Sequence, residues 1–356
     1  MQEQFYLQIN PGRIVFGDGA LNRLVDLIAE LGCCRALILS TPQQKEQAEV
    51  LLDSIGNLGV GVYSQATMHT PVNVTEDALK TLKASGADIT VAIGGGSTTG
   101  LGKALAYRTG LPQIVIPTTY AGSEVTSILG QTDKGLKTTI NDREVLPELV
   151  IYDPQLTYHL PLPMTLTSAM NAMAHAAEAL YARNRNPMST LMAIEGINAL
   201  VEALPEIVVD PESSNGRRKA LYGAWLCGTV LGSVGMSLHH KLCHTLGGTF
   251  DLPHAETHAI VLPHAIAFNE AAVPDLLEPL AKALQAESAG AGLYAYAGKI
   301  GAPRTLESIG MPESGIARAA ELALANPYWN PREFNQEQIR RLIENAYYGR
   351  LPEMMV

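Results

Sequence analysis

Apolar and polar positions alternate in two different ways along this chain. In the first part, short apolar runs are separated by stretches whose apolar residues recur every three or four positions. Runs of the first kind predict strands, and stretches of the second kind predict helices. The predicted strands are 5–9, 13–16, 35–40, 60–63, 88–93, 113–117 and 149–154. The predicted helices are 21–31, 43–58 and 75–85, and the polar residues 130–145 predict a hairpin or loop. This alternation is typical of an open parallel α/β sheet.

After residue 155 the strand-like runs disappear, and alanine and leucine recur with helical spacing. We therefore expect an N-terminal α/β nucleotide-binding domain, Rossmann-like, over 1–155 and an all-α domain over 156–356. Thr165 or Thr167 is expected to cap the first helix of the second domain. The other expected helices are 187–204, one from about 217 to the histidine pairs described below, 293–300, 313–324 and 337–348.

A glycine-rich turn, Gly94-Gly95-Gly96-Ser97, follows the apolar run 88–93 and precedes a helix. Such a turn brings backbone N–H groups and the positive end of a helix dipole close to an anion, which suits a diphosphate. A plain tight turn is the alternative, since glycine clusters mark turns generally. Its position at the carboxyl end of a parallel strand favours ligand binding. The spacing matches neither Gly-x-Gly-x-x-Gly nor the Walker pattern.

Hydroxyl-bearing residues follow two other strands and extend this candidate cofactor site. One group follows the run 113–117, where a simple Ser/Thr turn is an equally good interpretation. Ser40 and Thr41 stand where an acidic residue usually binds the ribose hydroxyls, so nothing repels a 2′-phosphate and we expect both NADH and NADPH to be accepted. The candidate cofactor-binding residues are Gly94, Gly95, Gly96, Ser97, Thr118, Thr119, Ser123, Ser40, Thr41 and Lys137.

Seven of the nine histidines lie between residues 175 and 264, and several are four residues apart. The pairs are Asn171/His175, His240/His244 and His254/His258. On a helix, the two side chains of such a pair point the same way. A lone histidine on an apolar face is more often a hydrogen-bonded core residue than a functional one. Several with regular spacing favour a common pocket, with His244, His175, His240, His254 and Asn171 as the candidate catalytic residues.

Composition narrows the classes of function. At 356 residues and 38.1 kDa, with a net charge of −10 and a pI near 5.4, the chain has two-domain size and no basic field for nucleic acid. Four cysteines without a Cys-x-x-Cys spacing suit a reducing cytoplasm, and the first residues do not resemble a secretory signal. Residues 220–238 carry no charge, but their glycines and hydroxyls favour a buried helix over a membrane span.

In these residues the chain resembles the iron-containing alcohol dehydrogenase family, and the likeness extends over essentially its full length. The segments that carry the likeness are 94–103, 117–124, Asn171-x-x-x-His175 and 239–258. The resemblance implies the two domains described above, an active site in the cleft and a homodimer. The family's divalent metal has one Asp and three His ligands, which fall here on Asn171, His175, His240 and His254.

This sequence departs from the family pattern in two places. The metal-binding carboxylate is replaced by the amide of Asn171, a poor ligand for a transition metal, and the usual Asp after the triple glycine is Gly100. Both departures resemble a branch that is generally regarded as not needing metal, so we expect no tightly bound metal. That branch implies NADH- or NADPH-dependent reduction of maleylacetate, a small dicarboxylate, to 3-oxoadipate in aromatic-compound degradation.

The resemblance also suggests roles for the histidines. We expect His244 to lie nearest the nicotinamide and to act as the acid, and His175, His240 and His254 to bind the carboxylates or the carbonyl. Lys241 and Tyr120 are lesser candidates, because Lys241 points roughly 100° away from His240 on a helix and is expected to be solvated.

Three alternatives remain open. A metal-dependent alcohol dehydrogenase acting on a small alcohol would lose activity to a chelator. A lyase of the dehydroquinate synthase type shares the two-domain plan but needs a full metal site, which Asn171 undermines. A nucleotide-binding module without chemistry has no need for clustered histidines.

Overall fold

The computed structural model describes Phe5, residues 12–325 and residues 328–354, apart from the side chain of Lys137. Within the described chain, two compact units meet in sequence at Leu160 and Pro161. The first is an α/β unit and the second is helical. This confirms the expected fold class.

The α/β unit is built on a six-stranded parallel sheet whose strands follow the order β1-β8-β5-β4-β2-β3. The sheet strands are β1 (Arg13–Phe16), β2 (Ala36–Leu39), β3 (Gly59–Tyr63), β4 (Ile89–Gly94), β5 (Gln113–Pro117) and β8 (Leu149–Tyr152). Every residue of β4, β5 and β8 is buried, which explains why these strands read as continuous apolar runs. The expected hairpin is confirmed as the antiparallel pair β6 (Ile128–Asp133) and β7 (Leu136–Asn141).

Four α-helices connect the sheet strands: α1 (Leu24–Glu30), α2 (Lys45–Ile55), α3 (Val72–Ser85) and α4 (Gly96–Thr109). The expected helix 21–31 begins instead as a 3₁₀ turn over Ala20–Arg23. Helix α3 begins three residues earlier than expected, directly after Pro71. The expected strand 5–9 lies outside the described residues except for Phe5, which is exposed.

The second unit contains no strand among its described residues. Its helices are α5 (Leu162–Tyr181), α6 (Pro187–Val209), α7 (Ser214–Leu231), α8 (Leu238–Phe250), α9 (His254–Glu270), α10 (Pro274–Ala283), α11 (Ala289–Ile300), α12 (Gly315–Ala325) and α13 (Gln336–Tyr348). Helix α10 was not expected from the sequence. Helix α5 is buried from Thr165 to Tyr181, and α9 from Thr257 to Glu270, so these two form the centre of the unit.

Two expectations for this unit were wrong. Thr165 and Thr167 do not cap α5, because the helix already begins at Leu162 with Pro161 before it, and both threonines lie inside it. Backbone N–H groups in the first turn of a helix have no partner within the helix. A proline there has no N–H to leave unpaired, so the helix can start without a side-chain cap. The helix expected to run continuously into the histidine pairs ends at Leu231, and α8 begins only at Leu238.

Of the described helices, none combines the length and the apolar character that a bilayer crossing would need. The uncharged residues 220–238 are divided between α7, a break rich in glycine and serine, and the first residue of α8.

Candidate active site

The carboxyl ends of β2 and β4 lie side by side at the point where the strand order reverses. From β2 the chain continues to β3 on one side, whereas β4 leads to β5 on the other. Ligands of open α/β sheets bind at such a point. Ser40 and Thr41 follow β2, and Gly94 to Ser97 end β4 and begin α4. We call these residues, together with Thr118 and Thr119 after β5, the cofactor edge.

Only glycine fits at the end of β4. Gly94 has a φ of +150°, and a Cβ there would lie 2.5 Å from Thr98 Oγ1 and 2.7 Å from Gln44 Oε1. A Cβ on Gly95 would lie 3.0 Å from the side chain of Thr119. The backbone therefore reaches the N-terminus of α4 without side chains in the way, which is the geometry that an anionic diphosphate requires.

The turn after β5 is tied to this glycine segment. The N–H of Thr118 donates to the carbonyl of Gly94 at 3.0 Å, and Gln44 Nε2 donates to Thr118 Oγ1 at 2.9 Å. The structure thus brings Thr118 and Thr119 to the triple glycine, and their role in binding the cofactor stays a prediction. Lys137 lies on β7 rather than on the six-stranded sheet, and its side chain is outside the described part of the chain.

A buried lysine that was not predicted to have a role holds the rest of this turn. Lys103 Nζ donates to the carbonyls of Ser123 at 2.5 Å, Thr126 at 2.7 Å and Ile128 at 2.8 Å, and to Thr126 Oγ1 at 2.9 Å. Burial lowers the pKa of Lys103 to about 7, although the negative charge of Glu124 acts to raise it. Because all four partner atoms accept hydrogen bonds, the surroundings suit the ammonium form. Lys103 therefore fixes the position of Ser123.

The helical unit brings six histidines together: His175 on α5, His239, His240 and His244 on α8, and His254 and His258 on α9. We call this set the histidine cluster. His175 Nδ1 lies 2.9 Å from His240 Nε2, and the ring centroids of His254 and His258 are 4.3 Å apart. The rings of His240 and His244 lie 6.3 Å apart, one turn along α8. The predicted pairs do lie on helices and do converge.

Burial divides the cluster. Asn171, His175 and His240 are buried, whereas His244 and His254 are exposed. The exposed imidazoles can exchange protons with water, and the buried ones can hold a ligand away from it. Two buried polar atoms, Asn171 Oδ1 and His258 Nε2, have no hydrogen-bond partner among the described residues.

Glu178, which the sequence analysis missed, orients the cluster. Its carboxylate accepts hydrogen bonds from the backbone N–H groups of Ser237 and His239 at 2.8 Å each, and from the Tyr181 hydroxyl at 3.2 Å. It also lies 2.7 Å from His240 Nδ1. Burial acts to raise the pKa of Glu178, but the hydrogen bond and charge of His240 outweigh it and lower the pKa to about 2. The signal that could have identified Glu178 is its position as an acidic residue in an alanine-rich, apolar stretch of helix.

His239 and His258, the two other cluster residues that the sequence analysis did not select, are neutral. Burial, with His240 as a neighbour, lowers the pKa of His239 to about 3, and burial with His254 as a neighbour lowers the pKa of His258 well below its usual value. Their rings join through His239 Nε2 and His258 Nδ1 at 3.0 Å, and Cys243 Sγ lies 3.6 Å from His239 Nε2. Burial also raises the pKa of the Cys243 thiol well above its usual value, which disfavours a thiolate.

The residues at the family's metal positions form a poor metal site. Among the described residues, one group of three His, Cys or acidic side chains has its ligand atoms within 4.8 Å of one another, and it is His239, Cys243 and His258. His175, His240 and His254 do not form such a group, and the fourth position offers the amide oxygen of Asn171. This donor set lacks the carboxylate charge that attracts a divalent cation.

A parallel sheet with a glycine-built cofactor edge and a helical unit with a histidine cluster are typical of a dinucleotide-dependent oxidoreductase. The model of the iron-containing alcohol dehydrogenases matches residues 11–154, and that of the C-terminal part of the Fe-containing alcohol dehydrogenase family matches residues 165–347. The chain belongs to the iron-containing alcohol dehydrogenase family and is an oxidoreductase, which confirms the resemblance expected from the sequence.

Individual relatives cover the whole chain. It is similar to maleylacetate reductase from Rhizobium sp. (strain MTP-10005), with 58% identity over 99% of this chain and 100% of the relative. Maleylacetate reductase from Burkholderia cepacia is 52% identical over 98% and 99% of the two chains. The crystal structure of maleylacetate reductase from Agrobacterium tumefaciens, 56% identical, superposes with a TM-score of 0.96 over 99% of this chain and 100% of that one.

Proposed function

We propose that this chain reduces the carbon–carbon double bond of maleylacetate to give 3-oxoadipate, with NADH or NADPH as the hydride donor. The observation that carries the proposal is the His175–His240–Glu178 chain of contacts beside the amide of Asn171. This arrangement supplies hydrogen-bond donors to an anion without a metal ligand set. Full-length relatives named maleylacetate reductase support the same substrate.

The reaction requires one hydride and one proton. The hydride adds to the alkene carbon remote from the ketone, and the electron pair of the double bond moves toward the ketone oxygen as an enolate. A proton then adds to the carbon next to the ketone, and the oxidised nicotinamide is released. Imidazole N–H groups that lie near the developing oxyanion stabilise it if they are held in place beforehand.

Glu178 holds His240 in the orientation that this step needs. Because the carboxylate lies at Nδ1, the ring of His240 directs Nε2 toward His175 and the interior of the cluster. A carboxylate partner fixes the tautomer and the orientation of the ring. We assign His175, His240 and His254 to binding the substrate, Asn171 to donating a hydrogen bond to it from the amide nitrogen, and the exposed His244 to protonating carbon.

We propose further that turnover needs no tightly bound metal, since the four family positions offer an amide in place of a carboxylate, and His175, His240 and His254 are not among the groups of described residues whose ligand atoms all lie within 4.8 Å of one another. The proposed setting is a cytoplasmic homodimer in aromatic-compound degradation, without a nucleic-acid partner. The net charge of −10 and four cysteines outside any disulfide support this setting.

The test is the oxidation of NADH and of NADPH by maleylacetate in metal-stripped buffer containing a chelator. We expect turnover with both cofactors, and a loss of about 10²- to 10⁴-fold in kcat for His244→Ala, the range for removal of a general acid. His264→Leu, on the same helix as His254 but outside the cluster, is the control and should retain activity. Inactivation by the chelator would instead favour the metal-dependent alcohol dehydrogenase, and full activity of His244→Ala would remove the assigned acid.

A further inference from the structure

Positive charge is scarce on the helices of the histidine cluster. The three helices that carry it, α5, α8 and α9, contain one lysine and no arginine among all their residues, and that lysine is Lys241. A dicarboxylate brings two negative charges to a site that already holds the Glu178 carboxylate. Because unpaired charges are costly to bring together away from water, the substrate needs cationic partners.

Lys241 is not the solvated side chain that the sequence suggested. The residue is half-buried, and its Nζ lies 5.6 Å from the centroid of the Tyr328 ring. Within the described part of the chain it takes part in no ion pair. Lys241 precedes His244 by three residues on α8, so the two side chains are neighbours on one face of the helix.

Tyr328 brings a donor to the same place. Its hydroxyl oxygen is buried and has no hydrogen-bond partner among the described residues. Burial, reinforced by the charge of Glu178, raises the pKa of Tyr328, so the phenol stays protonated and can donate. Leaving a buried donor unpaired destabilises the protein, and a carboxylate oxygen is the acceptor that suits it best.

A hydrogen-bonded chain fixes the segment that carries Tyr328. Asn330 and Asn269 exchange amide hydrogen bonds of 2.7 and 3.0 Å, and Asn269 Nδ2 also donates to the Tyr181 hydroxyl at 3.2 Å. Tyr181 in turn donates to Glu178. Tyr328 is also one wall of a cavity of about 300 Å³, whose other lining residues are Asn330, Arg332, Glu333 and Phe334. Hydrogen bonds therefore connect the segment of Tyr328 to Glu178, the residue that orients the cluster, and a cavity lies beside the Tyr328 ring.

We propose that Lys241 and Tyr328 bind the carboxylate of the substrate that is remote from the double bond. The ammonium supplies charge, and the phenol supplies a directed hydrogen bond. This assignment rests on the proposed function, and it makes the pair the determinant of selectivity for diacids over monoacids.

The kinetic test compares maleylacetate with (Z)-4-oxopent-2-enoate, which keeps the enone and the near carboxylate but has a methyl group in place of the CH₂–carboxylate. We expect Lys241→Ala to raise KM for maleylacetate about 10- to 100-fold, the usual worth of a charge-assisted hydrogen bond, and to leave both constants for the monoacid within about threefold. Tyr328→Phe should raise the same KM about tenfold, and Lys241→Arg should restore part of the loss. Lys282→Ala, on exposed α10, is the matched control.

A binding test separates this proposal from the proposed reaction. Calorimetry with adipate and hexanoate, which do not react, should show wild type binding the diacid about tenfold more tightly or better, and Lys241→Ala binding the two alike. If wild type discriminates in this way but does not reduce maleylacetate, the proposed function fails and the carboxylate site stands. If Lys241→Ala keeps the preference for the diacid, or weakens both acids equally, the assignment of Lys241 and Tyr328 is wrong.

Discussion

The cofactor edge of the α/β unit and the histidine cluster of the helical unit differ in whether backbone or side-chain atoms form them. The cofactor edge is made by the backbone, and its geometry depends on side chains being absent at Gly94 and Gly95. The histidine cluster is made by side chains from three helices that lie far apart in sequence, joined by His175–His240 and His240–Glu178 contacts. The cofactor edge therefore depends on the absence of side chains at two positions, whereas the histidine cluster depends on particular side chains being present.

This difference predicts whether a substitution in each region should impair cofactor binding or the chemical step. Adding a methyl group at the cofactor edge should disturb the binding of the nicotinamide cofactor and leave the proton-transferring groups in place. Removing a charge from the cluster should disturb the chemical step and leave cofactor binding unchanged. Substitutions that produce the same kinetic pattern in both regions would break the distinction.

The largest effect is expected for Glu178→Gln. The amide keeps the shape of the side chain but loses the charge that orients His240. Its NH2 group also faces backbone N–H groups, which are donors too, so the two cannot hydrogen-bond to each other. Breaking a buried hydrogen-bonded pair costs about 3–5 kcal/mol. We expect urea denaturation to show a loss of that order, and kcat to fall about 10²- to 10³-fold with little change in KM for NADH.

Glu270→Gln is the matched control for this prediction. Glu270 is also a buried carboxylate in the helical unit, and it accepts hydrogen bonds from the backbone N–H groups of Ala289 and Gly290 instead of from a histidine. It should lose stability but retain kcat. Equal losses of kcat in the two variants would mean that Glu178 acts through stability alone.

A smaller effect, of the opposite kinetic kind, is expected for Gly94→Ala. A Cβ at this position meets Thr98 Oγ1 at 2.5 Å, in addition to the strain of its positive φ. We expect KM for NADH to rise about tenfold while kcat at saturating cofactor is retained, since a displaced turn weakens binding without touching the cluster. The measurement is initial rates over a range of NADH concentrations.

Gly17→Ala separates steric contact from backbone strain. Gly17 has nearly the same φ, +146°, but a Cβ there would meet no atom within 4 Å. Both variants should lose about 1–3 kcal/mol of stability from strain, and only Gly94→Ala should change KM. A raised KM in both would show that strain in the unit, and not contact at the cofactor edge, controls cofactor binding.

The same difference explains what the sequence could reveal. The cofactor edge was predictable because strand, glycines and helix are contiguous over residues 88–107, so local physics specifies it. The helices carrying Asn171, His240 and His254 were predictable from their spacing. The break before Leu238 was not, since glycines and serines there are equally compatible with a buried helix.

The partners within the cluster were not predictable, because they depend on how three helices pack. Glu178 lies three residues after His175, yet its contacts with Ser237, His239 and His240 are some sixty residues away along the chain. Lys241 was expected to be solvated because helix geometry alone does not show the ring of Tyr328 beside it. Local patterns therefore predicted that Asn171, His240 and His254 lie on helices, and tertiary contacts decided which side chains matter.

The smallest effect at neutral pH is expected for His264→Leu, which tests how a buried histidine behaves outside the cluster. His264 lies on α9 like His254 and His258, but its Nε2 has no hydrogen-bond partner among the described residues, and burial lowers its pKa to about 4 from 6.5. Since the unfolded chain takes up this proton more readily than the folded one, His264 destabilises the fold as pH falls from 6.5 to 4. Replacing it with leucine should leave stability at pH 7 nearly unchanged and raise it by about 3 kcal/mol at pH 4 relative to wild type. Urea denaturation at a series of pH values measures this difference, and parallel curves for the two proteins would show that folding does not lower the pKa of His264.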